Sequence, residues 1–226
     1  MLTVTSLSGF GGGASGIEVL NVSTLIDVTS NLSTYTTSID IGTAETGRVV
    51  FALIWCRDDA GGATLDSVTI NGESATLIGE IAGSDSGGTK TAAVYAAVVD
   101  AGSGAQDIVT NWSTTMSGHS VQAIACRGVQ SLAATDTLTE DDTAVTVYLD
   151  ASTLDVEAGG LILAIAGTDT SGRTATWASL TESGDESSGE HSTTAAYAAY
   201  NSAQSVNVRT TWNGSSDGSA IAVAVR

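Results

Sequence analysis

The sequence predicts an all-β protein: an antiparallel β-sandwich of jelly-roll or Ig-like type with an internal pseudo-twofold duplication. Three observations lead there. Apolar residues come in runs of strand length, such as "RVVFALIWCR", "ATLIGEI", "DIVTNW" and "SVQAIAC", bounded by Gly, Asn, Asp or Ser. Thr, Val and Ile are abundant, which favours a pleated, half-buried surface over helix. The chain also ends as its own middle ends, with "TTWNGSSDGSAIAVAVR" echoing "TNWSTTMSGHSVQAIACR".

In chain order, residues 1–16, "MLTVTSLSGFGGGASG", form an arm whose glycines make it costly to order alone. Its apolar residues Leu2, Val4, Leu7 and Phe10 are the expected oligomer contacts, held by a neighbouring subunit whose sheet edge the arm covers. Residues 17–127 form the first sandwich half. In it, "SVTINGESATL" reads as a hairpin, because Asn71-Gly72 suits the positive φ angles of a tight turn. The Ala-rich "TAAVYAAVVDAG" reads as a strand, since an Asp-Ala-Gly-Ser-Gly turn follows it and "TAAYAAYNSAQ" copies it.

Residues 128–226 form the second half. "ETGRVVFALIW" is matched by "EAGGLILAIAG", "SATLIGEI" by "TATWASLT", "TAAVYAAVV" by "TAAYAAYN" and "IVTNWS" by "VRTTWN". These matches place Leu77 with Trp177, Tyr95 with Tyr197, Trp112 with Trp212 and Cys126 with Val225. The "DSVTING" region has no match. The junction "RGVQSLAATDT" is short, so the halves are expected to pack as one unit, two tandem sandwiches being the alternative. The paired Trp and Tyr residues are expected to be core anchors rather than sugar-stacking platforms.

Composition narrows the function classes. The formal charge is −18, from 25 acidic and 7 basic residues, and Lys90 is the single lysine. Without a basic stripe to neutralise phosphates, neither nucleic acid nor an anionic membrane surface is an expected partner. The first residues show neither a basic n-region nor a continuous apolar run, so synthesis in the cytoplasm is expected. The N-x-S sequences at Asn21, Asn31, Asn111 and Asn213 are read as products of composition.

No catalytic set stands out. His119 in "SGHS" and His191 in "SGEHST" are read as residues of polar loops. The acidic groups Asp58-Asp59, Glu140-Asp141-Asp142 and "GDESSGE" are read as a solvated face with ordinary pKa values. Calcium in "RDDAGG", "GSDSGG" or "GTDTSG" is the alternative, although none has the EF-hand spacing. The expectation is therefore no enzyme activity, no cofactor and no metal. Cys56 and Cys126 are expected to be buried free thiols, with a disulfide as the alternative.

The recurring order of "E-x-G-x-V-V", an apolar strand, an "A-T-(L/W)" strand, a Tyr-bearing Ala-rich strand, "(I/V)-x-T-x-W" and a small/apolar closing strand is carried by Gly47 to Trp55, Ala92 to Val99, Ile108 to Trp112, Gly159 to Ala166, Ala195 to Tyr200 and Val208 to Arg226. It resembles β-sandwich proteins on the virions of tailed bacteriophages, including marine alphaproteobacterial phages and gene transfer agents. The resemblance implies a non-enzymatic virion protein, such as a capsid decoration or head-vertex spike. It would contact copies of itself and the major capsid protein. A glycan- or receptor-binding module of a phage fibre, recognising a host surface glycan, is the alternative. No binding residue carries over.

Overall fold

The computed structural model describes residues 16–85, 88–149 and 153–226, so the arm residues Leu2, Val4, Leu7 and Phe10 lie outside the described residues. The protein is all-β, and every pairing described is antiparallel. In the first half the strands are β1 (Glu18–Val22), β2 (Ile26–Val28), β3 (Leu32–Asp40), β4 (Val49–Asp58), β5 (Leu65–Ile70), β6 (Glu73–Ser74), β7 (Thr76–Asp85), β8 (Gly88–Val98), β9 (Ala105–Met116) and β10 (Gly118–Arg127). In the second they are β11 (Asp136–Tyr148), β12 (Thr153–Val156), β13 (Leu161–Thr168), β14 (Ala175–Ala178), β15 (Thr181–Ser187), β16 (Ser192–Ala199), β17 (Gln204–Asn207) and β18 (Arg209–Val225).

These strands stack as layers. An outer sheet, β3-β9-β5-β6, covers a central sheet, β1-β10-β4-β8-β7, whose β10 also pairs β2. A second central sheet, β11-β18-β13-β16-β15, lies face to face with the first, and β14 pairs its long β18. The ribbon β12-β17 closes the far side. Both central sheets are thus buried on both faces, which is why β4 and β13 read as nearly unbroken apolar runs.

Alternation along β4 sorts its side chains between two cores. Val50, Ala52, Ile54 and Cys56 face the outer sheet, while Phe51, Leu53 and Trp55 face the other half. β13 does the same, with Leu161, Leu163 and Ile165 inward and Ile162, Ala164 and Ala166 outward. Between the central sheets, bulk on one side meets its absence on the other. A Cβ on Gly167 would collide with the Trp55 indole, so the largest side chain of that core rests on bare backbone. Such knob-on-gap contacts bring the layers close, as the small-residue composition requires.

The Asn71-Gly72 hairpin forms as read, with both residues at positive φ (52° and 80°) and Ile70 paired with Glu73. Both cysteines are free and buried. Cys56 faces one core and Cys126 the other, opposite ends of β4, which no disulfide geometry spans.

The halves share a strand order: β1-β10-β4-β8-β7 runs parallel in the list of elements to β11-β18-β13-β16-β15. Trp112 pairs with Leu65 on β5, and Trp212 with Ala175 on β14. The register contradicts two of the residue matches read from sequence. Leu77 sits on β7 opposite Tyr95, whereas Trp177 sits on β14 opposite Thr210, so "TATWA" occupies the place of β5 rather than β7. Tyr95 packs into the outer core and Tyr197 against the inner one; with Val98 opposite Val49 and Ala199 opposite Leu161, Tyr95 corresponds to Ala196. Repeated Ala-Ala-Tyr strings align equally well one residue apart, and a slip of one residue reverses the face.

Candidate functional site

Polar residues collect at one end of the contact between the central sheets. On β10 the inward row runs Ser120, Gln122, Ile124, and on β16 it runs Thr193, Ala195, so each strand turns from polar to apolar along its length. His191, the residue before β16, inserts beneath β10, and β2 brings Asp27 opposite Ser120. His191 Nε2 lies 2.6 Å from Asp27 Oδ1 and 3.2 Å from Ser120 Oγ, and Ser120 Oγ donates to Asp27 Oδ1 at 3.0 Å. Thr193 Oγ1 is 3.0 Å from Ser120 Oγ, Ser188 Oγ is 3.1 Å from His191 Nδ1, and the Trp55 ring packs 5.1 Å from the imidazole. Burial pushes the Asp27 carboxyl up, but the hydrogen bond and charge of His191, with the Ser120 and Ser188 hydroxyls, outweigh it and hold it below its usual value.

The residue types are those of a serine hydrolase, and the connectivity decides against that chemistry. Asp27 and Ser120 share one imidazole nitrogen, and Ser120 is fully buried. A relay needs the carboxylate on one nitrogen and an accessible nucleophile on the other. Ser188 does face the second nitrogen, but its Oγ is held in the turn by the Glu190 and His191 backbone amides. What the cluster accomplishes is adhesion: Asp27 and Ser120 come from one half, His191 and Thr193 from the other. Gln122 adds to it, donating to the Ser23 and Ser183 carbonyls and accepting from Ser183 Oγ.

His119 belongs to a separate cluster within the first half. Its ring stacks on Tyr35 at 4.4 Å, and its Nε2 lies 3.1 Å from Thr110 Oγ1, which also accepts from Trp112 Nε1. Burial pulls the His119 pKa down to about 3. Both histidines, read from sequence as polar-loop residues, are 1% exposed; a two-residue approach of glycines and serines looks like a loop but here opens a two-sided strand.

Trp112 and Trp212 are buried, as expected of core anchors, whereas Trp177, expected with them, is only partly buried; Trp55, which has no match in the second half, is buried as well. Trp177 is half-buried on the outer face of the second half, donating to Thr194 Oγ1 at 2.9 Å. Asp185, paired with Thr194, stands beside it with its pKa raised to about 6, by burial first and by Glu182 next. Asp58 is buried too, with Oδ1 accepting from the Ala60 amide, and lines a surface depression of about 330 Å³ with Asn31, Asp59 and Ser117. The solvated-face reading therefore fails at Asp58, which the end of β4 carries inward, and the expectation of an ordinary pKa fails at Asp185, which β15 leaves only partly exposed. Asp59 pairs with Arg57 at 2.7 Å. Among the described residues, no three His, Cys, Asp or Glu side chains are grouped to hold a metal ion.

Asp27, Ser120 and the buried cation Arg48 were not among the residues singled out by sequence, and Lys90 was singled out only as the single lysine, not as a buried cation. The available signal was a polar residue on the inward row of an apolar strand, as with Lys90 in "TKTAAVYAAVV". Compared with family models, with curated proteins and with solved structures, the chain has no significant match.

Proposed function

We propose that the chain is a non-enzymatic structural protein of a tailed-phage virion, a capsid decoration or head-vertex spike made in the host cytoplasm. It acts through contacts with copies of itself and with the major capsid protein. The observation that supports this reading is the closure of both imidazoles and of Trp55, Trp112 and Trp212 into the cores. Groups that could do chemistry or stack a sugar are spent on joining layers. The shared strand order of the halves supports descent from one duplicated unit. A block of stacked sheets with an acidic surface suits a coat protein, which must stay soluble while dense and has no need of a cleft.

Purified particles are expected to contain the chain in fixed ratio to the major capsid protein. Quantitative mass spectrometry would find hundreds of copies for decoration or a few dozen for a vertex structure. Particles lacking it overturn the reading. A glycan-binding fibre module is the second reading, favoured by half-buried Trp177 beside Asp185 and Glu182. It requires glycan binding that Trp177→Ala abolishes, on a protein present in a handful of copies per particle.

A further inference from the structure

The single lysine of the chain is not on its surface. Lys90 is 1% exposed and lies on the inward row of β8 that continues with Ala92, Val94 and Ala96, between the two central sheets. Lysine is almost never so buried without a partner. Its Nζ lies 3.6 Å from Oδ2 of Asp169, which directly follows β13 in the other half. Asp169 is fixed in turn: Oδ1 accepts from Ser216 Oγ at 3.1 Å and Thr170 Oγ1 at 3.3 Å, and its amide donates to the Asp217 carbonyl.

The two strands flanking Lys90 add to its surroundings. On β7 its register partner is Gly83, where a Cβ would collide with the Asp141 carboxylate; the missing side chain seats a second carboxylate from the other half beside the lysine. On β4 its register partner is Arg57, so a second cation stands directly across the strand pair. Like charges opposed in this way are destabilising, and here one of them is shut away from water.

We propose that Lys90 and Asp169 are joined by an amide bond in the mature protein. The ammonium gives a proton to a neighbouring carboxylate, Asp169 itself or Asp141. The freed amine lone pair attacks Cγ of Asp169, the Nζ–Cγ bond forms, and a Cγ–O bond breaks. The departing oxygen leaves as water with two of the three ammonium protons, the third remaining on the amide nitrogen. Ammonium plus carboxylate becomes amide plus water, with no further reactant. In bulk water the ions are favoured by their solvation. Here the lysine is drawn from water and Asp169 is only partly exposed, the two are held within reach by separate elements, and becoming neutral removes the charge opposite Arg57. The product ties the halves covalently across their shared core. This inference rests on neither functional reading above.

Intact mass spectrometry of the denatured wild-type protein tests it. The expected mass is one water below that required by the sequence. Digestion is expected to yield a branched peptide linking Lys90 to Asp169, with no tryptic cleavage after Lys90. Asp169→Ala restores the full mass. A wild-type protein at full sequence mass, after prolonged incubation in the folded state, overturns the proposal, and this measurement needs no variant to fold. So does an Asp169→Ala protein that still lacks one water, since the link would then involve another carboxyl.

Discussion

Replacing Arg48 with methionine is expected to destabilise the protein by about 4 kcal/mol, the cost of stripping a buried cation from the groups it satisfies. Arg48 is completely buried at the start of β4, where Nε donates to the Val99 carbonyl at 2.9 Å. Nη1 donates to Thr43 at 2.7 Å and more weakly to Ile41 and Gly42, and Nη2 donates to Ala101 at 2.8 Å and Gly102 at 2.9 Å. Two loops, one after β3 and one after β8, thus hang on one guanidinium. Methionine keeps most of the volume and none of the donors, leaving several inward-facing carbonyls without partners. Lysine restores a charge but not the planar fork, and is expected to recover less than half of the loss. Urea unfolding of the three proteins measures this; a loss below about 1 kcal/mol for Arg48→Met would show that water replaces the guanidinium at no great cost.

The second large effect is a loss of stability on mild acidification, led by His119. Its pKa is about 3 in the folded protein against an ordinary 6.5, because burial beside Tyr35 excludes the charged form. The unfolded chain therefore binds a proton below pH 6.5 that the folded chain refuses. The stabilisation is complete above pH 6.5 and is lost as pH falls towards 3. Between pH 6.5 and 5 this amounts to about 2 kcal/mol, within a full span of roughly 5 kcal/mol. Asp27, held below its usual value, acts in the same direction but below pH 4, as its pairing with His191 is lost. Asp185 acts in the opposite direction: raised to about 6, it binds a proton in the folded state first, and its half-exposed position weakens the effect. His119→Phe keeps the stacking on Tyr35 and removes the titration. Its unfolding free energy is expected to be flatter than wild type between pH 7 and 5; equal slopes would refute the assignment to His119.

What could be read in the sequence and what could not divide along physical lines. The strands, the Asn71-Gly72 turn, the free thiols and the Trp core follow from period, turn chemistry and volume, all local properties. Two-sided burial of β4 and β13 was also written in their unbroken apolar runs. Pairing of Tyr95 with Tyr197 failed because an Ala-rich string carries almost no register information. The Asp27, Ser120 and His191 cluster was illegible for a different reason. Its members lie on β2, on β10 and before β16, and only the stacking of one half on the other gives them a common location. Arg48 was hidden by its neighbours: beside Glu45 and Gly47 it looks like a turn charge, and nothing local shows that six carbonyls converge on it.

The place of β18 has a consequence for how the protein is made. Arg209–Val225 is synthesised after β11 and β13, yet it lies between them and lends Ile221 and Val223 to one core and Ala220 and Ala222 to another. Strands β1 to β10 are complete once Arg127 has emerged and can close while synthesis continues. The second must hold β13 and β16 with a central slot open until β18 emerges, and the contact between the halves waits with it. Slow, non-local pairing of this kind leaves the edges of β11 and β13 uncovered until β18 arrives. Ribosome-bound chains stalled just before Arg209 should therefore be caught by chaperones more readily than chains in which Arg209–Val225 has emerged.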